Sequence, residues 1–360
     1  MSGEVDLDQA VDELASGGTL AFYSPEDEKV YVRGTELTPG LRVTLAHELT
    51  HVLQDQHFDL SRLGDTDYDR SAGLRSVAEG DADAIGDAYA EEELTESERE
   101  EYEQQSRDDA EESAASLDDV PPTLVAFFAA PYALGSGFLS YIDAVGGDDI
   151  DTLLEDPPSE QELFDPAVRG TPDAEEIEVA IEAPDGADEI DGGTFGPLAW
   201  FLLLAARADP LAAMRVADGW GGDQFFAYRQ DDQVCADLIV VGDDERSTAA
   251  FADALTEWVA QSSDGTTRVE QVGGQVRLHA CDPGADAEPV GELTEEVVGV
   301  PVIRTELAAT LLDVGMAPDQ AGCVVERVLP DLPLDRLDDP DAIDPAQVRQ
   351  LVAGAAVACQ

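Results

Sequence analysis

The chain has 360 residues, 43% of them hydrophobic, enough for a sizeable core and two or three structural units. Its 80 Asp and Glu against 19 Lys and Arg give a formal net charge of −61. Such a surface repels phosphate backbones and anionic lipid, which excludes nucleic acid and membrane surfaces from the expected partners.

In chain order, residues 4–16 read as a short amphipathic helix. Residues 19–23 and 29–33 read as two strands joined by Ser24-Pro25-Glu26-Asp27-Glu28, a hairpin of β-formers around turn residues. A helix follows over residues 41–56, with Thr38 and Pro39 as start signals, and a second over residues 71–89. Residues 91–118 are a solvated helix or a linker, residues 120–145 an apolar helix, and residues 154–192 surface loops. A buried helix is expected over residues 196–217.

A β-β-α-β pattern comes next. Val234, Ala236, Leu238 and Val240 alternate, residues 247–261 form an amphipathic helix, and strands 268–271 and 275–280 flank the turn Gly273-Gly274. The last 60 or so residues read as a small helical unit, and no internal repeat is visible. The segments expected are 1–95, a core with the motif helices; 96–290, its helical and α+β continuation; and 291–360, the C-terminal helical unit.

The acid is spread along the whole length, which argues for a solvated surface, and Lys29 is the only lysine. Asp-rich, Lys-poor surfaces resemble those of proteins from extreme halophiles. At molar salt the Debye length is roughly 3 Å and self-repulsion is screened. The N-terminal residues have neither a basic nor an apolar stretch and are not read as a signal peptide. No transmembrane segment is expected. The apolar run 198–206 is short of the ~20 residues needed, and residues 120–142 are interrupted by Pro131, Gly135, Ser136 and Gly137.

None of the four cysteines forms a Cys-x-x-Cys, so a cysteine zinc site is not expected. Two disulfides are, Cys235 with Cys281 and Cys323 with Cys359, which implies an exported, extracellular or cell-surface protein. The alternative is four buried free thiols.

Residues 46–58 read Ala-His-Glu-Leu-Thr-His-Val-Leu-Gln-Asp-Gln-His-Phe. His47-Glu48-x-x-His51 on a helix puts two imidazoles one turn apart, able to reach one tetrahedral zinc ion. Glu48, rotated about 100° from His47, reaches a metal-bound water as general base. Leu41, Leu45, Leu49, Val52 and Leu53 form an apolar stripe opposite the histidines, so the helix is expected to bury the leucines and present the imidazoles.

Two residues compete for third ligand. Glu79, on the following helix beside Leu74, Val77, Ala78, Ala82 and Ile85, completes a His2Glu set, with Asp83 holding a ligand histidine one turn on. His57 has the spacing of a third histidine, but that pattern needs Gly where this chain has Gln54. As donors to an oxyanion, His279, Tyr89 and Tyr228 are candidates beside a more ordinary structural role, and Trp220 reads as a packing anchor.

The stretch from Leu45 to Leu60 resembles the gluzincin group of zinc peptidases. More closely it resembles a set of exported bacterial and archaeal proteins with His-Glu-Leu-Thr-His followed by Glu-Gly-Asp-Ala, here residues 79–82. Pro157-Pro158-Ser159-Glu160-Gln161 and Gly219-Trp220-Gly221-Gly222-Asp223 also look like that set, so the resemblance spans most of residues 19–281. It implies an α+β zincin-like core with mainly helical additions, bound Zn2+, ligands His47, His51 and Glu79, and an edge strand at residues 29–33 that takes extended substrate. The function expected is hydrolysis of peptide bonds in a peptide or protein substrate. The alternative is a non-catalytic zincin-like binding module with a structural metal. The sequence sets no oligomeric state.

Overall fold

The computed structural model describes residues 20–64, 70–116, 120, 122–181, 183–184, 186–230, 233–262, 265–284, 295–334 and 344–359. The helix expected over residues 4–16 lies outside them. The fold is α+β. The described residues form two compact units, one from residues up to 159 with 305–321, the other from residues 160–304 with 322–359. The break therefore falls at 159/160, not at 95/96, and the C-terminal helical segment contributes to both units. Residues 305–321 join the first because Thr305 packs where a Cβ on Gly137 would stand, 3.5 Å away.

The first unit opens with strands β1 (Ala21–Ser24) and β2 (Lys29–Val32), antiparallel with Tyr23 opposite Val30. Helix α1 (Pro39–Phe58) begins at Thr38, whose hydroxyl accepts from Leu41 N, with Pro39 pre-set for the first turn. It runs without a break to Asp59, a left-handed residue with φ 57°. Helix α2 (Ser71–Glu93) outruns its expected end at residue 89. The acidic stretch is a helix, α3 (Glu96–Ser116), started by a capping box in which Glu98 accepts from the amide and hydroxyl of Thr95.

Helix α4 (Pro122–Ala144), the apolar helix expected over residues 120–145, runs continuously through Pro131 and residues 135–137. It is long and apolar enough to cross a membrane by length and composition, yet about half of it is buried inside the fold. Its glycines serve packing. A Cβ on Gly135 would stand 2.1 Å from Ser76 O of α2, and one on Gly80 would stand 3.0 Å from Gly135 C. The α2 and α4 backbones thus touch directly, as only glycine allows.

Helix α1 turns a different face inward from the one its leucines predict. Leu49 and Leu53 are 54% and 58% exposed, while Glu48, Thr50, His51 and Gln54 are buried. Hydrogen bonds to α2 and β1 satisfy that polar face, so its burial costs little. On α2, Leu74, Val77, Ala78 and Ala82 are buried as expected, but Ile85 is 46% exposed.

Short helix α5 (Ile150–Glu155) closes the first unit, and in the second α6 (Glu160–Phe164) occurs where loops were expected over residues 154–192. The single helix expected over residues 196–217 is two, α7 (Gly196–Ala205) and α8 (Pro210–Asp218), because Pro210 starts a new helix under an Asp209 cap. The sheet has five antiparallel strands: β3 (Asp188–Gly193), β4 (Trp220–Gln230), β5 (Gln233–Gly242), β6 (Arg268–Val272) and β7 (Gln275–Cys281), in the order β3-β4-β5-β7-β6. The β6–β7 hairpin turns on Gly273 and Gly274 at φ 62° and 85°. Helix α9 (Glu245–Ala260) buries Phe251, Ala252 and Leu255. Three more helices follow, α10 (Gly299–Asp313), α11 (Pro318–Val328) and α12 (Pro345–Ala358). Both expected disulfides form, Cys235–Cys281 and Cys323–Cys359.

Asp223 pins the start of β4. Its carboxylate, 4% exposed, accepts from Phe195 N, Gly196 N, Trp200 Nε1 and Trp220 Nε1 at 2.6–2.9 Å. Trp220 is thus an anchor through its indole N–H as well as its ring. Asp223→Ala orphans these donors at about 1 kcal/mol or more each, so a loss of at least ~3 kcal/mol is expected in urea unfolding. A change below 1 kcal/mol would show that the four bonds carry no net stability.

Candidate metal centre

Helices α1 and α2 supply all three predicted ligands. His47 Nε2 and His51 Nε2 stand 3.0 Å apart, and each is 3.3 Å from Glu79 Oε2. His57 is exposed near the end of α1, beside the Phe58 ring, and takes no part. The continuous helix accounts for this, since six positions beyond His51 is roughly 240° around the axis.

The other ring nitrogens fix the tautomers. His47 Nδ1 donates to Asp83 Oδ1 at 3.0 Å, so Asp83 has the orienting role expected of it. Gln54 Nε2 donates to Ala78 O and to Asp81 Oδ2, at 3.0 and 2.8 Å. This leaves Gln54 Oε1 as the acceptor for His51 Nδ1 at 2.9 Å. With both Nδ1 atoms assigned as donors by this network, both Nε2 atoms turn toward Glu79, and a cation taking its place among them would displace their protons. Two imidazole nitrogens and a carboxylate oxygen therefore converge within 3.3 Å.

Such a triangle suits a small cation. A tetrahedron with bonds of ~2.0–2.1 Å has edges of about 3.3–3.4 Å, close to the 3.0–3.3 Å found. The electrostatics agree. Burial favours neutral imidazoles, but Asp83 and Glu79 outweigh it and push His47 up to about 10, and Glu79 likewise raises His51. Burial would raise the Glu79 carboxyl, yet hydrogen bonds from the two histidines bring it down to about 2. The centre demands positive charge. Two histidines and one carboxylate, with a side open to solvent, fit zinc.

Each residue of Glu79-Gly80-Asp81-Ala82 has a part. Glu79 faces the histidines, Gly80 admits α4, Asp81 holds Gln54, and Ala82 is fully buried. Gln54, read from sequence only as the lack of a glycine, is the residue that aims His51. Its signal was the i+3 spacing on one helix face. Gln54→Ala should weaken zinc binding by about 10–100-fold, measured by competition with a chromophoric chelator. Unchanged affinity would mean His51 needs no such support.

Glu48 lies beside the triangle and outside it. Its Oε2 accepts from Tyr23 N of β1 at 2.7 Å, Oε1 has no hydrogen bond among the described residues, and burial raises its pKa. Tyr23 is itself tied down, its hydroxyl donating to Asp55 Oδ2 at 2.6 Å. A cleft of about 660 Å³ reaches His51 and Glu79 and is bordered by Tyr23, Pro25, Glu26, Leu60, Leu63 and Arg75 among others. The strand bordering it is therefore β1 with its turn. No residue of β2, the expected substrate strand, lines it.

None of the expected oxyanion donors stands at the triangle. Tyr89 packs on Val43, Ala90 and Leu94, while Tyr228 and His279 bond Asp237 in the sheet unit. Tyr132 of α4 is the hydroxyl the sequence did not reveal. The residue is 44% exposed, yet partial burial of its hydroxyl beside the Glu79 carboxylate pushes its pKa up to about 12, so it keeps its proton.

Residues 183–306 match a family profile described as Domain of unknown function (DUF8575). The match covers the five-stranded sheet and none of the metal cluster. No curated protein and no solved structure matches the chain.

Proposed function

We propose that this chain is a gluzincin-type zinc peptidase, with α1, α2 and the β1–β2 hairpin as a reduced zincin-like core. The observation that carries the reading is the convergence of His47 Nε2, His51 Nε2 and Glu79 Oε2 beside a buried carboxylate in an open cleft. A zinc ion held there would supply Lewis acidity, acidifying a water and polarising the scissile carbonyl.

The chain's own residues do the rest. Glu48, anchored through Oε2, receives the water proton on Oε1 and returns it to the departing amine. Its elevated pKa suits both halves of that task. The Tyr132 hydroxyl donates to the developing oxyanion. Tyr23, Pro25 and Glu26 border the path of an extended peptide, with Leu60 and Leu63 offering apolar contact. Two disulfides suit an oxidising, extracellular setting.

The test uses the full chain at high salt with an unbiased peptide mixture read by mass spectrometry. Cleavage is expected, is lost on adding a zinc chelator, and returns with added Zn2+. Stoichiometric zinc with no cleavage of any peptide would replace this reading with the non-catalytic binding module.

A further inference from the structure

The sheet unit holds a second cluster of ligand-type side chains. In the β5–β7 ladder Cys235 is opposite Cys281 and Asp237 is opposite His279. Residues two apart on a strand share a face, so all four project from the same side of the sheet. That side opens on a cleft of about 690 Å³ whose lining also includes Tyr228 and Arg277. The disulfide therefore borders a polar cleft, with Cys235 itself only 7% exposed.

His279 is held in a particular way. Its Nδ1 is 3.0 Å from Asp237 Oδ1. Asp237, 4% exposed, also receives the Tyr228 hydroxyl at 3.4 Å and has Arg277 Nη2 at 3.5 Å, so its oxygens serve as acceptors. Nδ1 carries the proton and Nε2 is left with a lone pair, aimed at Cys281 Sγ 3.2 Å away. A carboxylate behind an imidazole whose far nitrogen is free is the arrangement that orients metal-binding histidines. Asp83 and His47 repeat it in the other unit.

We propose that the Cys235–Cys281 pair, once reduced, forms with His279 a second metal site, a thiolate-rich one for zinc or another soft divalent ion. Cys235 Sγ, Cys281 Sγ and His279 Nε2 lie within 4.8 Å of one another. Two sulfurs on one zinc ion stand about 3.8 Å apart, within reach of two cysteines whose Cα atoms are 3.9 Å apart. The strands do not need the disulfide to stay paired. Asp282 N donates to Val234 O at 2.8 Å, and Gln233 Nε2 to Asp282 O at 3.0 Å, just beyond the cysteines. Solvent in the cleft completes a Cys2His set at the fourth position.

The chemistry balances with a phosphine as reductant. The phosphine takes oxygen from water and gives two electrons, the S–S bond breaks, and each sulfur gains a proton. On entry of the ion both thiol protons pass to solvent as two S–metal bonds form, while His279 donates its lone pair and loses no proton. An added small-molecule disulfide takes two electrons from the thiolate pair and leaves as two thiols, so that the S–S bond re-forms and the ion is released. The site and the ligand thus depend on redox state, and neither depends on the peptidase reading.

The test uses cobalt(II), whose thiolate complexes absorb strongly, with the full chain carrying Cys323→Ser and Cys359→Ser so that one cysteine pair is left. A His47→Ala change in the same chain removes the first cluster from the count. Oxidised protein is expected to bind no cobalt tightly. Phosphine-reduced protein should bind one equivalent with a sulfur-to-cobalt charge-transfer band. Cys235→Ser or Cys281→Ser should abolish the band, and Asp237→Asn should weaken binding about 10–100-fold. A reduced protein with unchanged circular dichroism and no band overturns the proposal. So does loss of sheet signal on reduction, because the ladder is required to hold the ligands, and so does a band that survives in both serine variants.

Discussion

Changing Glu48 to glutamine should leave zinc bound and lower peptide cleavage by about 10²–10⁴-fold, the range for loss of a positioned general base. Glu48 stands outside the triangle of His47, His51 and Glu79, so the ligand count is untouched. Glutamine has the same shape. Its carbonyl oxygen can take the Tyr23 N–H that Glu48 Oε2 takes now, leaving the NH2 group where Oε1 stands. An amide nitrogen there accepts no proton. Burial already disfavours the charged form of Glu48, so the neutral amide should fold at least as well. Steady-state kinetics with metal analysis on the same sample would decide. Undiminished cleavage removes Glu48 from the proton path, and loss of zinc would make it a ligand instead.

Glu79→Ala should empty the centre while His57→Ala leaves it filled. The alanine removes one corner of the triangle and the carboxylate partner of buried His51 and half-buried His47 at once. Since loss of a supporting group costs about 10–100-fold in affinity, loss of a ligand should cost more, enough to leave purified protein substoichiometric. His57 is exposed at the far end of α1, and its removal should change neither zinc content nor activity. Elemental analysis of the two variants beside His47→Ala gives the answer. Zinc retained by Glu79→Ala but lost by His57→Ala would reverse the ligand assignment.

The site was largely legible because its spacing is local. His47, Glu48 and His51 share one helix, and Thr38-Pro39 and the lack of glycine at Gln54 both said that this helix starts early and runs on. That continuity is what removes His57 and leaves Glu79. Contacts made across space were not legible. The leucine stripe pointed to the wrong buried face, because α2 satisfies the polar side of α1 through Ala78 O and Asp81, which no periodicity in α1 reports. Tyr132 comes to Glu79 only because Gly80 and Gly135 let two backbones meet. In the sheet unit the glycines after Trp220 belong to β4, a strand the sequence reading did not place. A Cβ on Gly222 would stand 2.1 Å from Ile177 O, so the strand needs them for close approach. The β6–β7 hairpin was legible, its paired glycines being a strictly local signal.

One further property follows from the hairpin. Lys29, the chain's sole lysine, opens β2 opposite Ser24, across the turn from Pro25 and Glu26 at the mouth of the cleft. Amine-directed dyes have no other side chain to modify. A fluorophore coupled there would watch peptides arrive and leave, with no second side-chain amine to blur the signal.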